Sequence, residues 1–265
     1  MRVTQTLPQL VPTPTFSRMG LFRLLSYLLL TSTAFADDVR GDCSTSPVLK
    51  YFDIRGRAEA IRMAFADHGI EFSDETFTGD AWGKESDDGL KAQWTMQGKL
   101  PFGQVPLLEI DGLALVQSHS ILRYLGRKFG WYSGQPSELF KIDLVADGTE
   151  DVRKRLGAIR YADISDDEKA KKYEHYFTDA AEGKRWLGFL DNLVGASKTD
   201  FASGSAVATH ADYLLLDLLD LHDSLGGVLS KTLLATMPAL TAWRTRMVER
   251  PKLKAYLESA ARRKS

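Results

Sequence analysis

The chain has 265 residues, 44% of them hydrophobic and 26% charged, with a formal net charge of −1. So even a balance does not suggest the strongly basic surface of a nucleic-acid-binding protein, and a lone cysteine, Cys43, excludes a disulfide framework or a CxxC redox pair. The five histidines (His68, His119, His175, His210 and His222) show no metal-ligand spacing, so no metal is expected.

Residues 1–36 contain no acid, and an apolar run from Leu24 follows Arg18 and Arg23 and closes on Ala34-Phe35-Ala36 before Asp37-Asp38. A short apolar stretch with basic residues before it and a small-residue end predicts a secretory signal, with Met19 as an alternative start. The run is short for a bilayer span. An uncleaved anchor and the first part of a bipartite organelle signal are the other readings. Residues 1–47 are therefore set outside the fold as a leader. The expected compartment is the secretory pathway or an organelle, or the cytoplasm if the mature protein lacks the leader.

From Val48 onward the pattern predicts a strand over 48–52, a helix over 57–68 stopping at Gly69, and a second strand over 71–77. Residues 79–99, rich in glycine and charge, read as a long loop. Strands over 105–110 and 113–116 flank Asp111-Gly112, a strong hairpin signal. Ser118 then stands where an N-cap belongs, before a helix ending at Gly130. After a linker at 134–136, helical patterns run over 137–161, 166–194, 210–225, 237–249 and 251–261. In front of the third, Thr209 and Asp212 have capping-box spacing.

A βαβ unit joined to a ββα unit on one mixed sheet is the thioredoxin-like arrangement. The fold class is thus an α/β thioredoxin-like domain over 48–132 followed by an all-helical domain over 137–263.

One local oddity bears on function. Arg55 and Arg57 open the first helix, where backbone N–H groups and the macrodipole already make the end positive, so an anion is expected there.

The blocks Tyr51-Phe52-Asp53-Ile54-Arg55-Gly56-Arg57, Gln117-Ser118-His119-Ser120-Ile121-Leu122-Arg123-Tyr124-Leu125-Gly126-Arg127, Asp147-Gly148-Thr149-Glu150-Asp151-Val152-Arg153, Ala211-Asp212-Tyr213 and Arg250-Pro251-Lys252-Leu253-Lys254-Ala255 occur in order over 48–259. In these the chain resembles a cytosolic-type glutathione transferase, most like the pi class, with alpha and sigma features. The resemblance implies an enzyme that adds the thiolate of glutathione to small hydrophobic electrophiles, a detoxification chemistry. Glutathione is then a co-substrate, and no further cofactor, metal or nucleic acid partner is implied.

Tyr51 matches the family's catalytic tyrosine. Arg57, Gln104, Val105 before Pro106, Gln117 and Ser118 match its glutathione-binding positions, whereas Arg55 reads as a solvated helix-start arginine. Trp82 and Lys91 are chosen for the glycyl carboxylate, with Trp94 and Lys99 as alternatives. Asp151 matches an acid given by a neighbouring subunit, which implies a homodimer. Phe52, Ile54 and Tyr161 match the wall facing the electrophile. Isomerase or peroxidase chemistry on the same site, and a non-catalytic ligand-binding member of the fold, are the alternative readings.

Overall fold

The structure, a computed structural model, describes residues 46–83, 89–178 and 182–264; the leader reading and Cys43 lie outside them, apart from residues 46 and 47. Four strands, β1 (Val48–Phe52), β2 (Ser73–Phe77), β3 (Leu107–Ile110) and β4 (Leu113–Val116), form one mixed sheet in the order β2-β1-β3-β4. β1 runs parallel to β2, with Tyr51 opposite Thr76, and antiparallel to β3, with Lys50 opposite Leu107. Because strand side chains alternate between faces, Leu49 and Tyr51 are buried on one side of β1 while Lys50 and Phe52 stay half-buried on the other.

A short 3₁₀ turn at Gly56–Ala58 leads into α1 (Glu59–His68), which Gly69 ends in the left-handed conformation at φ 68°. The β3–β4 hairpin turns on Asp111 and Gly112 at φ 55° and 72°, the pair of positive values that a two-residue turn of this kind requires. α4 (Ser118–Phe129) completes the first domain.

Two readings change here. Residues 79–99 are not one long loop: they contain α2 (Gly79–Gly83) and α3 (Leu90–Met96). Trp82 stacks on Phe77 at 5.5 Å and both approach Trp94, so aromatic burial overrides the glycine- and charge-rich composition. Ser118 does not cap α4. Gln117 occupies the cap position at φ 70°, without a side-chain cap hydrogen bond.

The helical part comprises α5 (Pro136–Arg160), α6 (Asp166–Thr178), α7 (Gly183–Gly195), α8 (His210–Gly226), α9 (Val228–Leu234), α10 (Pro238–Val248) and α11 (Pro251–Leu257). The pattern over 166–194 is thus two helices, and α9 follows Gly226-Gly227 where the sequence pattern ended. α8 is the central rod. Asp212 accepts the Thr209 N–H at 2.8 Å, closing the capping box, and also accepts Ala202 N–H and Trp243 Nε1–H at 2.8 and 3.0 Å. Those bonds offset the cost of burying a carboxylate completely.

The two parts are sewn together by charge. Tyr213 O–H donates to Asp67 at 2.7 Å, and Arg250 pairs with the same carboxylate at 2.7 Å. The segment after α11 returns to the sheet: Arg263 reaches Asp53 at 2.9 Å and Asp74 at 3.0 Å, Arg262 reaches Glu59 at 3.0 Å, and the Lys264 carbonyl accepts the Arg55 N–H at 3.0 Å. From below, the buried Arg62 donates to the Ile54 and Arg55 carbonyls at 2.9 and 3.2 Å. The loop between β1 and α1 is therefore held from both sides.

Candidate active site

That loop shapes the surroundings of Tyr51. The ring is 7% exposed, and its Oη accepts the backbone N–H of Arg57 at 3.1 Å. Gly56 sits at φ 45°, where a Cβ would lie 2.6 Å from the phenol oxygen; only glycine takes this backbone and clears the ring. Among the described residues no acceptor is offered to the phenol's own proton. Burial raises the Tyr51 pKa, against the opposing hydrogen bond from Arg57 and the charges of Arg153 and Arg57. At neutral pH the group is a protonated donor with its proton free.

The phenol opens into a cavity whose walls include Ile54, Arg55, Arg57, Arg153, Leu156 and Tyr161. Arg153 pairs with the buried Asp217 and donates to the Gly56 carbonyl at 3.2 Å. Arg57 lines this cavity and also a second, more polar one bounded by Gln104, Val105, Pro106, Gln117, Ser118 and His119. The Val105–Pro106 bond there is cis. Gln117, a non-glycine residue at φ 70°, holds the kind of sparsely populated conformation that clusters at ligand clamps.

The anion expected beside Arg57 is supplied by the protein. Glu150 of α5 takes Arg57 Nη2 at 2.9 Å and Nη1 on its other oxygen. Burial works against ionisation of Glu150, but hydrogen bonds from His119 and Arg57, with their charges, hold the carboxyl down at about 2. Glu150, Arg153 and Asp217 were not legible in the sequence as site residues. Their pairings bridge 93 and 64 positions of chain, and no local pattern announces them. Arg55 is also corrected: it is half-buried and lines the Tyr51 cavity instead of standing in solvent.

The remaining candidates divide. Ile54 and Tyr161 line the Tyr51 cavity, with Tyr161 82% exposed at its mouth. Phe52 does not line it. As the neighbour of Tyr51 on a strand it points to the other face, against Phe77 at 4.9 Å and Trp82 at 5.7 Å. Trp82 lies in that aromatic cluster, and Lys91 is exposed with its chain beside Gly103, next to Gln104. Of the alternatives, Trp94 is buried and Lys99 is bound to Glu109 at 2.7 Å. Asp151 faces away from Tyr51. It lines an outer groove of α5 and α7 with the exposed Phe140, Leu144 and Phe189.

Comparison with known proteins agrees with this architecture. The description "Glutathione S-transferase, N-terminal domain" matches residues 47–127, and "Glutathione S-transferase, C-terminal domain" matches residues 150–260. Glutathione S-transferase P 1 of Xenopus laevis is 36% identical over 219 residues, covering 82% of this chain and 94% of the relative. Human glutathione S-transferase P is 36% identical, covering 79% and 90%. Among solved structures, the pi-class glutathione S-transferase of Onchocerca volvulus superposes with a TM-score of 0.67 at 28% identity, covering 81% of this chain and 93% of its own. With both halves matched and most of a relative's length covered at this identity, the chain belongs to the glutathione S-transferase family.

Proposed function

We propose that this protein conjugates glutathione to small hydrophobic electrophiles, with Tyr51 stabilising the thiolate. The observation that carries the reading is the state of Tyr51: a buried phenol whose acceptor side is occupied by the Arg57 N–H and whose proton has no acceptor among the described residues. A free thiol has a pKa of about 8.5 and is mostly protonated at neutral pH. Lowering it by about two units takes about 2.7 kcal/mol of preferential thiolate stabilisation, within reach of one charge-assisted hydrogen bond in a cationic surround. Arg57, Arg153 and Arg55 provide that surround.

Glutathione itself occupies the polar cavity. Val105 offers its backbone to the cysteinyl unit, and Gln117 with the Ser118 hydroxyl and the N-terminus of α4 receives the γ-glutamyl carboxylate. Gln104 lies alongside, and Lys91 and Trp82 are assigned to the glycyl end. The electrophile packs on Ile54 and Tyr161. With an aryl halide, sulfur forms the new C–S bond, the halide leaves with the bonding electron pair, and the thiol proton passes to solvent. Proximity supplies the rest of the rate.

Asp151 serves the neighbouring subunit of a homodimer, since it sits on an apolar outer groove and not in its own cavity; a two-fold pairing of that groove would present it to a second copy. The leader is assigned to export or organelle import, and a mature chain without it to the cytoplasm.

Conjugation of an aryl halide by wild type and Tyr51→Phe tests the central claim. The variant is expected to lose about 100-fold in kcat/KM while KM for glutathione stays within about 3-fold. Equal thiol pKa values in the two complexes, read from thiolate absorbance against pH, would refute it.

A further inference from the structure

The guanidinium of Arg57 faces the polar cavity already engaged, because Glu150 of α5 takes both of its terminal nitrogens. A tripeptide that brings carboxylates into that cavity competes with Glu150 for the same cation, and like charges brought close together repel. A carboxylate held by Arg57 alone is therefore easily displaced. A further donor on Glu150 would keep it seated.

His119 is the side chain placed to give one. It is the second residue of α4, follows Ser118 directly, and bounds the same cavity as Arg57, Gln117 and Lys154. Its ring lies between Asp147 and Glu150, carboxylates one helical turn apart on α5. Nδ1 stands 4.0 Å from Asp147 Oδ1, an oxygen that also accepts Arg123 Nη2–H at 3.1 Å, on a side chain 70% exposed. Nε2 stands 3.6 Å from Glu150 Oε2, the oxygen that also takes Arg57 Nη1. That nitrogen is closed off from solvent and has no hydrogen-bond partner at normal length among the described residues. Water reaches the Asp147 side of the ring and not the Glu150 side, so the ring hydrogen belongs on Nε2, facing Glu150. The gap exceeds a hydrogen bond by a few tenths of an ångström, which a small rotation of the ring closes.

We propose that His119 is a positioning residue of the glutathione site: its Nε2–H holds Glu150 on Arg57 while the carboxylates of the tripeptide enter. The inference rests on the reading of the polar cavity as the place of glutathione. Donors from two elements, α4 and the turn ahead of α1, converge on one carboxylate of α5. The Ser118 end of α4 and the loop behind Tyr51 are thereby kept in register with each other.

Calorimetric titration with S-methylglutathione tests this, because a ligand without a thiol leaves the chemistry of Tyr51 out of the measurement. His119→Leu is expected to weaken binding about 10-fold, the size of one charge-assisted contact, and to raise KM for glutathione in step. At saturating glutathione, kcat for an aryl halide should fall by less than about 3-fold. His119→Gln, whose amide presents an N–H near the place of Nε2, is expected to bind within about 3-fold of wild type. Placed on Glu150→Gln, which itself weakens binding, His119→Leu should add less than about 2-fold, since its effect runs through that carboxylate. Should the leucine variant fail to fold, His119→Ala carries the same expectations. Binding unchanged in the apolar variants, a glutamine variant as weak as they are, or additive losses in the double variant overturns the inference and leaves the glutathione site and the role of Tyr51 standing. Failure of wild type itself to bind S-methylglutathione overturns the reading of the cavity, and the inference with it.

Discussion

The two walls of the Tyr51 cavity are built by different means. On the sheet side the chemistry rests on backbone: Gly56 at φ 45° makes room for the phenol, the Arg57 N–H fixes it, and Arg62, Arg153 and Lys264 pin the loop through its main-chain atoms. On the helical side the wall is a set of side chains, Leu156 and Arg160 of α5, Tyr161 just after it, and Leu221 and Leu225 of α8. A wall made of backbone cannot drift without losing the donor. A wall made of side chains can vary and keep its fold, so on the proposed function the first suits thiolate stabilisation and the second suits the choice of electrophile.

The largest effect should come from breaking the backbone wall. An alanine at Gly56 would place Cβ 2.6 Å from the phenol oxygen and adopt a left-handed conformation that costs about 1 kcal/mol. Gly56→Ala is expected to lose about 100-fold in aryl halide conjugation, as much as removing the phenol. On the opposite wall, the Cβ of Gly157→Ala would meet nothing closer than Tyr161, at 4.0 Å, and a loss below about 3-fold is expected. Comparable losses in the two variants would erase the distinction between the walls.

The same division explains what could be read in the sequence. Glycine and turn chemistry are written locally, so the Asp111-Gly112 hairpin, the Gly69 helix end and the strand carrying Tyr51 were legible from a few residues each. Family resemblance pointed to the residues that the structure gathers around the polar cavity, Gln104, Val105, Gln117 and Ser118. The ion pairs Arg57–Glu150 and Arg153–Asp217 were not legible, because a carboxylate on a helix looks the same whether it faces solvent or an arginine 93 residues away. The helices within 79–99 were hidden for a related reason. Their stability comes from Trp82, Phe77 and Trp94 packing together and not from helix-forming composition.

An effect of intermediate size is expected in the helical half, from pH. His222 of α8 is fully buried between Tyr176 O–H at 2.9 Å and the Leu218 carbonyl at 2.9 Å. Burial lowers its pKa from the ordinary 6.5 to about 4. The unfolded chain therefore takes up this proton first as pH falls. The contribution to stability is complete above pH 6.5 and is lost as pH falls from there toward about 4. At about 1.4 kcal/mol per unit, His222 should cost about 2 kcal/mol between pH 6.5 and 5. Urea unfolding at pH 7 and pH 5, in wild type and His222→Gln, isolates this from the buried carboxyls Glu59 and Asp217, whose pKa values burial moves upward. A pH-dependent loss that is the same in the variant would remove His222 from the account.

The smallest effect concerns how far the backbone wall depends on the distant chain end. Arg263 bonds to Asp53 and Asp74, but its side chain is 29% exposed and Asp53 is 65% exposed, so solvent screens the pairs and Arg263→Ala should cost about 0.5–1 kcal/mol of stability. The local consequence is more telling than the total. With Arg263 gone, the Lys264 carbonyl is free to leave the Arg55 N–H, and hydrogen exchange at that amide should quicken. The Arg57 amide, held by Tyr51 within the loop itself, should keep its protection, and conjugation should fall by less than about 3-fold. If activity instead drops as far as in Gly56→Ala, the loop is held in shape by its strap and not by its own backbone, and the contrast between the two walls gives way to a single charged seam that supports both.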